Sequence, residues 1–137
     1  MSQQLLLVEF PSDESGKIYE PETNTILTAS VNNALVEYLS KEDLFEETSL
    51  YEDSSFEEYT TILRLKEDQI GNALDCITAM LTQLLETERV EKIKALQTEA
   101  DISNLMSEFQ VISSSYQLIK LKRDNFATSI STIVMLG

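Results

Sequence analysis

The sequence predicts a mainly α protein, an elongated helical bundle of coiled-coil character with a short N-terminal β-hairpin. Three observations carry that expectation. From Ile102 to Leu136 apolar residues recur in three- and four-residue steps, at Ile102, Leu105, Phe109, Ile112, Tyr116, Ile119, Phe126, Ile130 and Ile133, interrupted at Arg123. A sustained seven-residue repeat marks a helix that lays one stripe against other helices. A second stripe runs through Phe56, Tyr59, Leu63, Ile70, Ala73, Leu74, Ile77, Met80, Leu81, Leu84 and Leu85. Chain breakers are scarce, with 3 Gly and 2 Pro in 137 residues and none between Gly71 and Gly137.

The chain divides into five expected elements within one domain. Residues 5–20 read as the hairpin: the apolar run Leu5-Leu6-Leu7-Val8-Glu9-Phe10 and the segment Lys17-Ile18-Tyr19-Glu20 flank a polar loop that opens with Pro11. A lone hairpin is marginal in water, so it must pack on the helices or extend a partner's sheet. Residues 26–40 read as a short amphipathic helix with Ile26, Leu27, Val31, Ala34, Leu35, Tyr38 and Leu39 on one side. Val31, Asn32 and Asn33 weaken it intrinsically, so packing must hold it.

Residues 41–55 read as an acidic loop. Ser55 with Glu58 three positions on matches a capping box, which opens a long helix over 56–97. Thr98 with Asp101 matches another, and the last helix covers 98–136. A turn between Glu86 and Asp101 folds the two long helices back on each other; the last alone would run about 50 Å at 1.5 Å per residue.

The formal charge is −14, and it is unevenly placed. Residues 1–63 hold 14 acids against Lys17 and Lys41, whereas residues 64–137 hold 10 acids against 8 bases. Such a chain repels nucleic acid and anionic membranes, since phosphate binding runs on Lys and Arg. It attracts a basic protein surface. The run Leu5 to Val8 is too short for a membrane span or signal peptide. Cys76 is the single cysteine and has no internal disulfide partner, so an intracellular, reducing compartment is expected, cytoplasm or nucleus.

Composition argues against catalysis. There is no His, hence neither the usual general base near neutral pH nor the commonest metal ligand. Gly16, Gly71 and Gly137 form no phosphate loop. No catalytic, metal or cofactor residue is therefore named.

Two partner-binding segments are expected. The first is the last stripe, Phe109, Ile112, Tyr116, Ile119, Arg123, Phe126, Ile130, Ile133 and Leu136. Its aromatics are bulky for a two-stranded zipper, its flanks carry few complementary charges, and Val111, Leu118 and Leu121 make a second apolar strip. Other helical protein subunits are thus favoured as partners, in a hetero-oligomer rather than a homodimer. The chain stays apolar through Ile133-Val134-Met135-Leu136, as an interface would, unless those residues close the protein's own core. The second segment mixes acids with aromatics: Phe45, Glu46, Glu47, Tyr51, Phe56, Glu57 and Glu58. Spaced aromatics of this kind dock into a groove while the acids steer toward a basic surface. Ser12, Ser54 and Ser55 lie beside acids and match acid-directed phosphorylation sites.

The function expected is that of a non-enzymatic structural or adaptor subunit of a multi-protein complex. Two alternatives stand beside it. One is an acidic helical export or assembly chaperone, and the other an acidic inhibitor that mimics nucleic acid.

Overall fold

The computed structural model describes residues 3–13, 15–53, 55–83, 86, 98–129 and 131–137, with the backbone alone for Asp101. It overturns the expected helical bundle. The fold is mixed α/β, built on one six-stranded sheet, and the coiled-coil and bundle readings fall with it.

The strands are β1 (Gln3–Glu9), β2 (Ile18–Tyr19), β3 (Asn24–Val31), β4 (Phe45–Tyr51), β5 (Tyr59–Leu65) and β6 (Thr132–Leu136). The helices are α1 (Asn33–Lys41), α2 (Ile70–Gln83), entered through a 3-10 turn at Glu67–Gln69, and α3 (Glu99–Asn125). The sheet order is β2-β4-β5-β6-β1-β3, antiparallel throughout except for the short parallel β2–β4 pair.

The apolar run of residues 5–8 forms a strand, but not a hairpin with residues 17–20. A strand covered on both faces reads as a continuous apolar run rather than an alternation. Leu5 and Leu7 enter the larger core, and Leu6 and Val8 join a smaller cluster with Phe10, Ile18, Leu50, Ile62, Ile133 and Met135. The partners of β1 are β3, with Leu5 opposite Ala29, and β6, with Leu7 opposite Val134. The loop after β1 bends back instead through an isolated bridge between Ser12 and Ile18.

The expected helix over 26–40 is half strand. Thr25, Ile26, Thr28 and Val31 are β-branched and suit a pleated surface. The helix starts only where Asn32 caps it, accepting the Leu35 N–H on its side-chain oxygen at 2.9 Å. Leu35 and Leu39 then point into the larger core.

The acidic loop over 41–55 is largely β4, paired residue by residue with β5, from Phe45 opposite Leu65 to Tyr51 opposite Tyr59. The long helix over 56–97 therefore does not begin at Phe56. Its stripe is a coincidence of spacing up to Leu63 and a true helix face only from Ile70, where Ile70, Ala73, Leu74 and Ile77 are buried. The expected turn region after Glu86 lies mostly outside the described residues.

The last helix ends at Asn125, not Leu136. Thr132, Ile133 and Val134, all β-branched, instead form a central strand buried on both faces. Every helix residue of the core belongs to the larger cluster, so α2 and α3 cover one face of the sheet, with α3 crossing β1 and β3. No helix among the described residues is long and apolar enough to cross a membrane.

Candidate protein-interaction surface

The connection between β4 and β5 gathers the second half of the acidic-aromatic segment, from Tyr51 to Glu58, at one end of the sheet. Asp53 accepts the Ser55 N–H at 2.9 Å and also its hydroxyl, which tightens the turn. Phe56 takes a left-handed backbone, φ 56°, a conformation that costs a bulky residue free energy unless packing holds it. Packing does so here. Its ring lies edge-on to Tyr51 at 5.1 Å and to Tyr19 at 5.8 Å, and Tyr51 in turn meets Tyr59 at 5.6 Å. The Lys17 ammonium sits 5.5 Å from the centre of the Phe56 ring and 5.7 Å from that of Tyr51, within reach of the ring quadrupoles.

Carboxylates surround this cluster. The Glu52 carboxyl is pushed above its ordinary value by its hydrogen bond to Glu58, then by the charge of Glu58, with Asp53 and Glu20 adding repulsion. The raised Glu52 carboxyl is a sign that negative charge is crowded there. Asp53 and Asp13 go the other way. Ser55 holds Asp53 below the usual range, and Ser15, with help from Lys17, does the same for Asp13.

The structure brings together Tyr51, Phe56 and Glu58 of the expected segment, with Glu57 exposed beside them. Phe45, Glu46 and Glu47 lie at the other end of β4, about 20 Å away at a strand's rise per residue. Phe45 is half-buried against the larger core, Glu46 faces Arg64 at 3.9 Å, and Glu47 is exposed. Sequence reasoning did not include Lys17, Tyr19, Glu52 or Tyr59 in the site. Tyr51 and Tyr59 flank an acidic, serine-bearing connection, which is a hairpin signal; Lys17 and Tyr19 arrive only through the β2–β4 pairing.

The other expected segment is divided. Ile112 and Ile119 on α3 and Ile133 on β6 are buried in the chain's own core. Phe109, Tyr116, Phe126 and Leu136 are half-buried against it, Arg123 is exposed and pairs with Asp124 at 2.8 Å, and Ile130 lies outside the described residues. Of the strip on the second side of the helix, Leu118 is buried and Val111 and Leu121 are half-buried.

The lysines and arginine near residue 120 do not act together. Lys122 turns inward, where its ammonium donates to the carbonyl oxygens of Phe126 at 2.9 Å and Ser129 at 2.7 Å and lies 3.3 Å from Glu67. Glu67 also accepts from Arg64 at 2.7 Å. Burial pulls the Lys122 pKa down, opposed by Glu67 and reinforced by Arg64. The side chain ties the α3–β6 loop to the turn before α2.

A mixed α/β protein with one crowded acidic and aromatic end is what the fold and site define. Comparison with protein-family models, curated proteins and solved structures finds no match to the chain.

Proposed function

We propose that this chain is a non-enzymatic adaptor subunit that binds a basic protein surface through the β4–β5 end of its sheet. The observation that supports this most is the seating of Lys17 over Phe56 and Tyr51 at the end of the sheet where Glu20, Glu52, Asp53 and Glu58 crowd. The site already holds one cationic side chain of its own, and a partner's Lys or Arg would meet the same combination of ring faces and carboxylates. Tyr59, 59% exposed, offers an open ring for it. A cation brought near Glu52 and Glu58 also relieves their mutual repulsion, so the strain in the free protein becomes affinity in the complex. The Cys76 thiol, raised by burial and by Glu42 and Asp75, is poorly placed as a nucleophile, in keeping with a binding role.

The test is calorimetric titration with a lysine-rich peptide at two salt concentrations. Tyr59→Ser together with Glu58→Gln should weaken binding about fivefold or more, the equivalent of about 1 kcal/mol. Glu37→Gln with Glu42→Gln, of which Glu37 lies on α1 and Glu42 caps its end, removes more charge and should change affinity less. Equal losses from the two pairs would mean that net charge alone attracts the peptide, and the proposal would fail.

A further inference from the structure

β3 is the outermost strand of the sheet, paired with β1 on its inner side only among the described residues. The direction of its free backbone groups follows from its neighbours. Gln4 exchanges both of its hydrogen bonds with Gly137, N–H to O at 2.9 Å each way, so its backbone faces away from β3. The Gln4–Ser30 pair is then a non-hydrogen-bonded one, and the N–H and C=O of Ser30 and of Thr28 turn outward. Beside them runs a groove of about 430 Å³ between this edge and α3, lined by Thr28, Ala29, Ser30, Gln110, Val111 and Ser114.

Proteins that stay monomeric blunt such edges with charge, proline or very short strands. The opposite margin of this sheet follows that rule, with a two-residue β2 and with Glu46 and Glu47 on β4. The β3 edge does not. From Thr23 to Val36 no residue is charged, and along α3 from Ile102 to Ile119 Glu108 is the single charged one, in a chain with 24 acids.

We propose that the β3 edge pairs antiparallel with the β3 edge of a second copy of this chain, joining two sheets into one of twelve strands. The occupant follows from charge. Two bodies of net charge −14 repel wherever carboxylates face each other, and this margin is where they approach without doing so. A basic partner would gain nothing from a surface without acids, whereas an identical strand supplies matching backbone donors and acceptors under two-fold symmetry. The dimer would set the two β4–β5 connections at opposite ends of the joined sheet, with each β4 nine strand spacings, about 40 Å across the strands, from its copy.

Sedimentation velocity and amide hydrogen exchange on the full chain test this. The expected species has twice the 15.5 kDa chain mass. Its Thr28 and Ser30 amides exchange slowly and lose that protection on dilution. Added salt should tighten the dimer, because it screens like charges, while it weakens binding to a lysine-rich peptide. Thr28→Pro deletes an outward N–H that no bond to β1 uses, and Ser30→Lys places repelling cations at the edge. Each should raise the dissociation constant at least tenfold with the thermal melt of the monomer retained. A chain that stays monomeric with fast exchange at Thr28 and Ser30 overturns the pairing and leaves this edge to a strand of another protein. A dimer that persists in both variants, or one without protection at those two amides, overturns it as well. Should either variant fail to fold, the exchange pattern of the wild-type chain decides alone.

Discussion

Replacing Lys122 with methionine separates a buried structural cation from a surface one. The side chain is 1% exposed, and its ammonium holds the carbonyl oxygens of Phe126 and Ser129 while facing Glu67. Methionine matches its stem but has no donor, so both carbonyls lose their partner. Hydrogen bonds to a charged group contribute about 1.5–3 kcal/mol each. Glu67 is about one-third exposed and keeps Arg64, so losing that pair adds under about 1 kcal/mol. Against this, methionine spares the fold the desolvation of an ammonium, the burial that also lowers the Lys122 pKa. The net cost should be about 2–4 kcal/mol, which at a urea slope of about 2 kcal/mol per M lowers the unfolding midpoint by about 1–2 M.

The pH dependence carries the same signature. A base whose pKa falls on folding makes the unfolded chain hold its proton longer, so stability climbs as pH rises from the lowered value toward the ordinary 10.5. That climb should vanish in Lys122→Met. Arg123→Met, next in the chain but exposed, should change stability by under about 0.5 kcal/mol. The assay is urea denaturation followed by circular dichroism at several pH values. A Lys122→Met midpoint within about 0.3 M of wild type would show that the ammonium is solvated and that the loop is held by other contacts.

Two further outcomes follow from the same structure. Glu52→Gln should raise the unfolding midpoint near pH 7 and leave it unchanged near pH 3. A carboxyl raised on folding stabilises when protonated and loses that contribution as pH climbs from its ordinary 4.5 through the raised value; an equal midpoint shift at both pH values would sink this. Ile133→Asp places a charge in a central strand at a fully buried position and should abolish cooperative unfolding and soluble expression. A soluble, folded Ile133→Asp monomer would instead mean that Ile133 serves an interface between chains.

The elements legible in the sequence are those whose local pattern and tertiary role agree. The run Leu5 to Val8 is a strand by either criterion, and Ile70, Ala73, Leu74 and Ile77 mark one helix face that is buried as the pattern requires. The repeat from Ile102 to Ile119 lies within a real helix, although it packs on a sheet as well as on one neighbouring helix, α2. The acidic-aromatic segment was legible as residues but not as a surface. Tyr51 and Phe56 meet because a hairpin folds them together, and Lys17 and Tyr19 join them from a strand more than thirty positions away.

Composition and charge placement by themselves determined that this protein is strongly acidic, that its acids crowd the first half, and that it has no histidine. Local pattern marked a helical face in α2 and in most of α3, but not the start of the first or the end of the second. Only the tertiary structure decided that Asn24–Val31, Tyr59–Leu65 and Thr132–Leu136 are strands, because steps of three and four residues and steps of two coincide over five to eight positions. The free energy that chooses between them comes from neighbours far along the chain. Ile133 and Val134 are strand residues because β1, about 125 positions earlier, lies beside them and supplies backbone partners, while the larger core covers Val134 on one face and the cluster with Phe10 and Ile18 covers Ile133 on the other.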